Sequence, residues 1–474
     1  MGSAVKLLLA ALPPTTRPSF ETMRPLHWLK VVPTAFQPNA PGGRSDCKRQ
    51  IDIPSEKGYV TILSAQRVVV TGMGAVTPIG NDVPTFLDHL MAGKLGIAPI
   101  TKFDASQTGV TMAGEVKDFE ATKRVDRKTA KRSDLFSTYA LYSAYEAMAM
   151  AGLDQEGVDP ENLGVIWGSG IGGLTTIQEQ VIKMHEKGPG RVSPLFVPNS
   201  IINMAAGHLS IAFNAKNTSQ AIVTACASAT NAIGNAFEYL KQGKADVIIT
   251  GGSEASVNEI GIAGFAALTA LSRATDPAQA SLPFDVHRNG FVLGEGGAAL
   301  ILETLTHAVK RGAHILAEVV GYGSTSDAYH ITAPDPTGAG AQRAMAQAVT
   351  EAGITPADVD YVNAHGTATK ANDSAEAQAI HRLFGAARHV LVSSTKGMTG
   401  HLLGAAGAIE AVACVGALQR QELPMNVGVS DQDPECPVTL VNAENQHTPV
   451  RYALSNSFGF GGHNAVLAFK KASD

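Results

Sequence analysis

From Arg67 onward the chain alternates short apolar, β-branched runs with longer stretches rich in small and polar residues. The runs beginning at Arg67–Val70, at Leu163–Trp167 and at Ala245–Thr250 read as strands, and Phe136–Met150 reads as a helix. Such alternation predicts an α/β architecture. A weak internal echo accompanies it. Ile222-Val-Thr-Ala-Cys ahead of an Ala/Gly-rich helix resembles Leu391-Val-Ser-Ser-Thr-Lys ahead of Gly404-Ala-Ala-Gly-Ala-Ile-Glu-Ala.

Four segments end a short apolar run with polar or glycine residues before the next element: Ala221-Ile-Val-Thr-Ala-Cys226, Tyr361-Val-Asn-Ala-His365, Val390-Leu-Val-Ser-Ser-Thr-Lys396 leading to His401, and Tyr452-Ala-Leu454 leading to Gly459-Phe-Gly-Gly-His463. In open α/β sheets the space beyond the carboxyl ends of the strands is where sites assemble. At Cys226 the β-branched run gives way to helix-tolerant residues, which places a thiol at a helix N-terminus. The unpaired N–H groups and the positive dipole end there favour thiolate over thiol. Cys226 is therefore a candidate nucleophile, against the alternative that a free cysteine packs as a small hydrophobe. Two histidines and a lysine at neighbouring strand exits favour the catalytic reading.

Composition fits a large enzyme core. The 474 residues are 45% hydrophobic, and a net charge of −5 argues against a general nucleic-acid binder. Cys47, Cys226, Cys414 and Cys436 have neither paired nor metal-like spacing, so a reducing compartment is expected. No apolar run approaches the roughly 18 residues that span a bilayer. Residues 1–65 hold eight of the 24 prolines and no sustained periodicity, and are read as an unstructured extension. Leu7–Leu12 is too short for a signal core. The basic residues nearby leave a transit peptide, or upstream sequence fused to the domain, as readings of this stretch. A cytoplasmic location is expected, with plastid or mitochondrion as the alternative.

The long blocks Arg67-Val-Val-Val-Thr-Gly-Met-Gly-Ala-Val-Thr-Pro, Pro283-Phe-Asp-Val-His-Arg-Asn-Gly-Phe-Val-Leu-Gly-Glu-Gly-Gly and Gly400-His-Leu-Leu-Gly-Ala-Ala-Gly-Ala-Ile-Glu, with the four segments above and in this order, resemble the elongating β-ketoacyl-acyl carrier protein (ACP) synthases. These are the Cys-His-His branch of the thiolase superfamily, and the likeness is greatest to their synthase II group. The resemblance implies a thiolase fold, two similar five-stranded α/β halves in an α-β-α-β-α core, over residues 66–313 and 314–474. It implies decarboxylative condensation of malonyl-ACP with a Cys226-bound acyl chain, with no metal or organic cofactor, in a homodimer that does not enter the membrane.

By the same resemblance, the backbone N–H groups of Cys226 and Phe460 form an oxyanion hole, Phe460 is a gate, and His365 and His401 hold the malonyl thioester. Lys396 and Glu410 order the site, Thr367 and Thr369 contact the pantetheine arm, and Ile171 and Phe265 line the acyl pocket. The basic run holding Lys128, Lys131 and Arg132 matches the ACP-docking patch. Two positions depart from the pattern: His463, where many relatives have threonine, and Thr269, where some carry an arginine.

Other readings remain. A polyketide ketosynthase shares the Cys-His-His set and a synthase I is close, whereas a non-catalytic chain-length factor normally lacks the cysteine. A thiolase would want a second cysteine where Ser457-Phe-Gly-Phe stands. Gly168-Ser-Gly170-Ile-Gly-Gly173 satisfies the dinucleotide fingerprint, but Gly188-Pro-Gly-Arg-Val-Ser-Pro194 stands where the ribose-binding acid belongs.

Overall fold

The computed structural model describes residues 65–154, 158–385 and 390–472, together with the backbone of 51–55 and 58–62. Within the stretch read as unstructured, Ile51–Ser55 pairs antiparallel with Gly58–Ile62. The alternation Ile51, Ile53 and Val60, Ile62 carries a strand signal that the proline count obscured. Residues 1–50 lie outside the described residues.

The second unit, residues 65–474, is built on one eleven-stranded sheet. Its order from one edge is Thr439–Leu440, Leu391–Ser393, Tyr361–Asn363, Tyr452–Gly459, His463–Lys471, Ala317–Ser326, Val68–Val76, Gly296–Thr304, Val247–Glu254, Leu163–Gly168 and Ser219–Ile222. The order is nearly palindromic. On one side of centre, three parallel strands (Ser219–Ile222, Leu163–Gly168, Val247–Glu254) are followed by antiparallel Gly296–Thr304 and Val68–Val76. On the other, Leu391–Ser393, Tyr361–Asn363 and Tyr452–Gly459 run parallel, followed by antiparallel His463–Lys471 and Ala317–Ser326. The halves join where Ala317, Glu318 and Val319 pair with Val70, Val69 and Val68. The echo read in the sequence is this repeat.

Side-chain alternation along the strands divides the core into layers. Ile248, Tyr361, Leu391, Ala453 and Leu467 point into the central cluster, which holds the helices Ser228–Lys241 and Ala406–Arg420. Their neighbours Val247 and Ile249 pack outward on the helix Leu135–Ala151, while Val362, Val392, Leu454 and Val466 pack on the helices Ala339–Glu351 and Lys370–Phe384. Where the central helices meet they carry small residues because they must approach closely: a Cβ on Gly407 would lie 1.9 Å from Thr230 Oγ1.

The outer helices repeat one solution. Cβ atoms on Gly72 and Gly74 would fall 2.1 and 1.8 Å from the Ala147 and Ser143 carbonyls, and on Gly321 and Gly323 2.1 and 1.9 Å from those of Ala348 and Ala344. A register irregularity precedes each pair, at Val70/Gly72 and at Val319/Gly321. The predicted strands and helix all appear, as Val68–Val76, Leu163–Gly168, Val247–Glu254 and Leu135–Ala151.

Candidate active site

Cys226 is the middle residue of a single 3-10 turn, Ala225–Ala227, between the strand Ser219–Ile222 and the helix Ser228–Lys241. Ala225 adopts φ +50°, a left-handed conformation that L-residues hold only when their surroundings impose it. Ser228 secures the turn by accepting from the Thr224 N–H (2.9 Å) and donating to the Ala225 carbonyl (2.7 Å). The C-terminal half repeats the device. Leu403, at φ +48°, opens the turn Leu403–Ala405 ahead of the helix Ala406–Arg420. The structural counterpart of Cys226 is thus Gly404.

His365 follows the strand Tyr361–Asn363, and Lys396 opens a short helix after Leu391–Ser393. His401 is held by its own backbone, whose N–H donates to the Val292 carbonyl (2.7 Å) and whose carbonyl accepts from the Gly294 N–H (2.9 Å). Sγ of Cys226 and one ring nitrogen from each of His365 and His401 all lie within 4.8 Å of one another. The two imidazoles meet edge to face at 5.2 Å, and His401 stacks edge-on against Phe291 at 5.3 Å. Nδ1 of His365 and both ring nitrogens of His401 have no hydrogen-bond partner among the described residues. Cys226, His365 and His401 line a cavity of about 750 Å³ together with Phe265, Thr367, Thr369 and Phe460. A thiol and two imidazoles so placed are also a donor set for a thiophilic metal ion.

Burial sets the charge of each group. Desolvation pushes the Cys226 thiol up to about 12. Lys396 and the backbone N–H groups of Phe460 and Cys226, which point at the sulfur, oppose the rise without cancelling it, and Glu254 adds to it. The resting thiolate expected from the sequence is therefore corrected to a thiol: the helix N-terminus cannot offset removal from water. Burial and then Lys396 hold both histidines well below the usual imidazole range, so they are neutral at pH 7. Lys396 and Glu410 are an ion pair, 2% and 0% exposed in their side chains. Burial raises the Glu410 carboxyl and Lys396 draws it back down.

Two buried carboxylates escaped the sequence reading. Glu376 accepts from the backbone N–H groups of His365 and Gly366, both at 2.8 Å, and from Asn456 Nδ2 (3.1 Å), fixing the strand exit that carries His365. Glu254 accepts from the N–H groups of Gly170 (2.7 Å), Ile171 (3.2 Å) and Gly404 (3.0 Å). It thereby fills the glycine-rich loop that matched the dinucleotide fingerprint, so the anion seated there is the protein's own. Nothing around either glutamate in the sequence marks it, because its partners are backbone groups far along the chain.

Phe460 sits at the tip of the hairpin between Tyr452–Gly459 and His463–Lys471, its ring 6.5 Å from Phe265. Phe265 borders the cavity; Ile171 does not, but packs with Phe265 on the apolar cluster that contains Cys226. Thr367 and Thr369 share a 2.9 Å hydroxyl hydrogen bond at the cavity wall. Thr269 also borders it, and His463 is exposed at the hairpin base. Lys128, Lys131 and Arg132 are exposed on the helix Arg127–Arg132, capped by Asp126, and do not line the cavity.

The family model described as β-ketoacyl synthase, N-terminal domain, matches residues 65–308, and that for the C-terminal domain matches residues 316–430. The chain is 49% identical over 411 residues to a 3-oxoacyl-[acyl-carrier-protein] synthase 2 of Synechocystis sp., covering 86% of this chain and 99% of that protein. It is 49% identical over 407 residues to the synthase 2 of Staphylococcus aureus, covering 86% and 98%. Among solved structures it is similar to a β-ketoacyl synthase from Burkholderia phymatum, with TM-score 0.80, 33% identity and coverage of 86% of this chain and 100% of that one. It is also similar to a type II polyketide ketosynthase in complex with its acyl-carrier protein, with TM-score 0.79, 31% identity and the same coverage.

Proposed function

We infer the reaction from one premise: the chain belongs to the β-ketoacyl synthase family. It is an acyltransferase that acts as a 3-oxoacyl-ACP synthase of the synthase 2 type, joining acyl-ACP and malonyl-ACP in fatty acid elongation. The observation that carries the reading is the grouping of a thiol and two neutral imidazoles within 4.8 Å on one cavity wall. The presence of Cys226 weighs against a non-catalytic chain-length-factor role.

In the first half-reaction Cys226 Sγ attacks the acyl thioester carbon, and its proton leaves with the carrier thiol. Because the resting thiol is protonated, proton removal accompanies attack, and the neutral imidazoles are the acceptors within reach. The N–H groups of Cys226 and Phe460, already aimed at the sulfur, are placed to receive the oxyanion; one such donor is worth about 2.7–4 kcal/mol of barrier. In the second half-reaction malonyl-ACP loses CO2, and the resulting enolate attacks the Cys226-bound acyl carbon. Cys226 departs as thiolate and takes up one proton, giving 3-oxoacyl-ACP.

Neutral His365 and His401 stabilise the enolate oxygen as hydrogen-bond donors, and the Lys396–Glu410 pair keeps a fixed positive field beside them. Thr367 and Thr369 face the pantetheine arm, Phe460 gates the cavity, and Phe265 bounds the acyl pocket, with Ile171 supporting it from the same apolar cluster. Lys128, Lys131 and Arg132 meet the acidic carrier. A homodimer is supported by the edge strand Ser219–Ile222, which pairs on one side only, and by exposed Val197, Ile211 and Val223 nearby in sequence.

The test is purified protein with acyl-ACPs of graded length and malonyl-ACP, read by product mass, with Cys226→Ala alongside. Two-carbon extension in the wild type alone is expected. Extension by the alanine variant would remove the mechanism, and size-exclusion chromatography with light scattering decides the oligomeric state.

A further inference from the structure

The cavity lined by Cys226 is also lined by charged residues. Arg288, Asp327 and Lys370 border it. Arg288 is buried and committed: it donates to Asp433 (2.6 Å) and to the Asp285 carbonyl (2.7 Å), and lies 3.7 Å from Asp373. Asp327 is likewise engaged, accepting from Asn464 Nδ2 (2.7 Å) and the Asp335 N–H (3.1 Å). Lys370 differs. It is exposed, stands at the first position of the helix Lys370–Phe384, and has no carboxylate within ion-pair distance among the described residues. Asp433 feels the Lys370 charge, but its carboxylate is already held by the Glu435 N–H and Arg288. Thr369, its neighbour in the chain, and Thr367 also line the cavity, their hydroxyls hydrogen-bonded to each other.

An unpaired cation bordering a passage to a nucleophile favours a substrate that carries negative charge at a distance from its reacting carbon. The proposed donors do so: their thioester hangs on a pantetheine arm that ends in a phosphodiester. We propose that Lys370 is a specificity-determining residue that pairs with the phosphate of the phosphopantetheine arm, selecting phosphate-bearing thioesters as they enter the cavity. This deepens the ketosynthase reading and rests on it. The phosphate can arrive on the carrier protein or on a free phosphopantetheine thioester; the chemistry Lys370 recognises is the same.

The experiment measures kcat/KM for acylation of Cys226 by three donors with one acyl chain: acyl-ACP, acyl-phosphopantetheine and acyl-pantetheine. Wild type is compared with Lys370→Gln and Lys370→Arg, by intact mass. The preference for acyl-phosphopantetheine over acyl-pantetheine should fall about fivefold in Lys370→Gln, the scale of a solvent-touched ion pair. It should return in Lys370→Arg and shrink with added salt. Acyl-ACP should lose as much as acyl-phosphopantetheine. A preference unchanged by Lys370→Gln, or an equal loss with both small donors, overturns the assignment of Lys370. A loss confined to acyl-ACP overturns it too and places Lys370 against the carrier protein. If wild type is acylated by none of the three donors, it is the ketosynthase reading that fails.

Discussion

Glu254→Gln tests how the site is held together, because one isosteric change should move stability and nucleophile reactivity in opposite directions. In the wild type Oε2 accepts from the N–H groups of Gly170 (2.7 Å) and Gly404 (3.0 Å), and Oε1 from the Ile171 N–H (3.2 Å) and Ser169 Oγ (3.3 Å). A glutamine NH2 turned toward Gly170 and Gly404 faces two backbone donors; turned the other way it leaves only the Ile171 N–H unpaired, because the Ser169 hydroxyl can accept from it. Each buried donor left unpaired costs about 1–3 kcal/mol. Relief from burying a charge offsets part of that cost, leaving a net loss of about 1 kcal/mol in the better orientation.

The thiol should respond the other way. Glu254 is among the causes that push Cys226 up to about 12, so removing its charge should raise the thiolate fraction. A fall of a few tenths of a pH unit in the thiol's titration is about a two- to threefold gain in iodoacetamide rate at fixed alkaline pH. Urea unfolding and timed alkylation read by peptide mass supply the two measurements. A variant as stable as wild type, or one in which Cys226 alkylates more slowly, would refute the picture of a carboxylate clamped by backbone N–H groups beside the sulfur.

His365 and His401 have folded pKa values below their unfolded ones, so the unfolded chain binds the extra protons. Each contributes stability that is present above about pH 6.5 and lost as pH falls below it, by about 1.4 kcal/mol per unit. His401→Asn should therefore show a shallower loss of Tm between pH 6.5 and 5.5 than wild type, and an identical slope would mean that His401 is not buried neutral. Zn2+ should inhibit acylation by occupying the Cys226, His365 and His401 donors, with recovery on adding EDTA; zinc-insensitive acylation would show the three cannot converge on one ion. Charge reversal at Lys128, Lys131 and Arg132 should raise KM for acyl-ACP more than for acyl-pantetheine, and equal losses would place the carrier elsewhere. Ile171→Phe should shift acylation toward short primers, since each methylene excluded from the pocket forfeits about 0.8 kcal/mol; an unchanged profile in a folded protein would remove Ile171 from the pocket.

Most of the site could be read from punctuation along the chain. Cys226, His365, Lys396 and His401 each follow a short apolar run, and the structure brings Cys226, His365 and His401 to one cavity with Lys396 beside them. What the sequence hid depends on contacts between distant segments. Glu254 and Glu376 have backbone partners, which no residue pattern records. The charge on Cys226 turns on burial, a property of the assembled layers, so a local argument from the helix terminus gave the wrong protonation state. The glycine loop was set aside as a dinucleotide site for want of the ribose-binding acid, but the sequence did not show what fills it. Its N–H groups do bind an anion, but that anion is a side chain from another strand. The internal echo was visible, but the feature the halves share at this turn, the left-handed residue at Ala225 and Leu403, was not, because it has no fixed side chain.

The close seat of Gly407 against Thr230 also has a consequence for how the protein is made. The helix Ser228–Lys241 rests on Ala406–Arg420, which is synthesised well after it. At ordinary elongation rates the nucleophile-bearing half waits on the order of ten seconds for that cover. During the wait the face around Thr230 lacks its cover. Recombinant yield should therefore respond more to slower synthesis and chaperone supply than to changes in the catalytic groups.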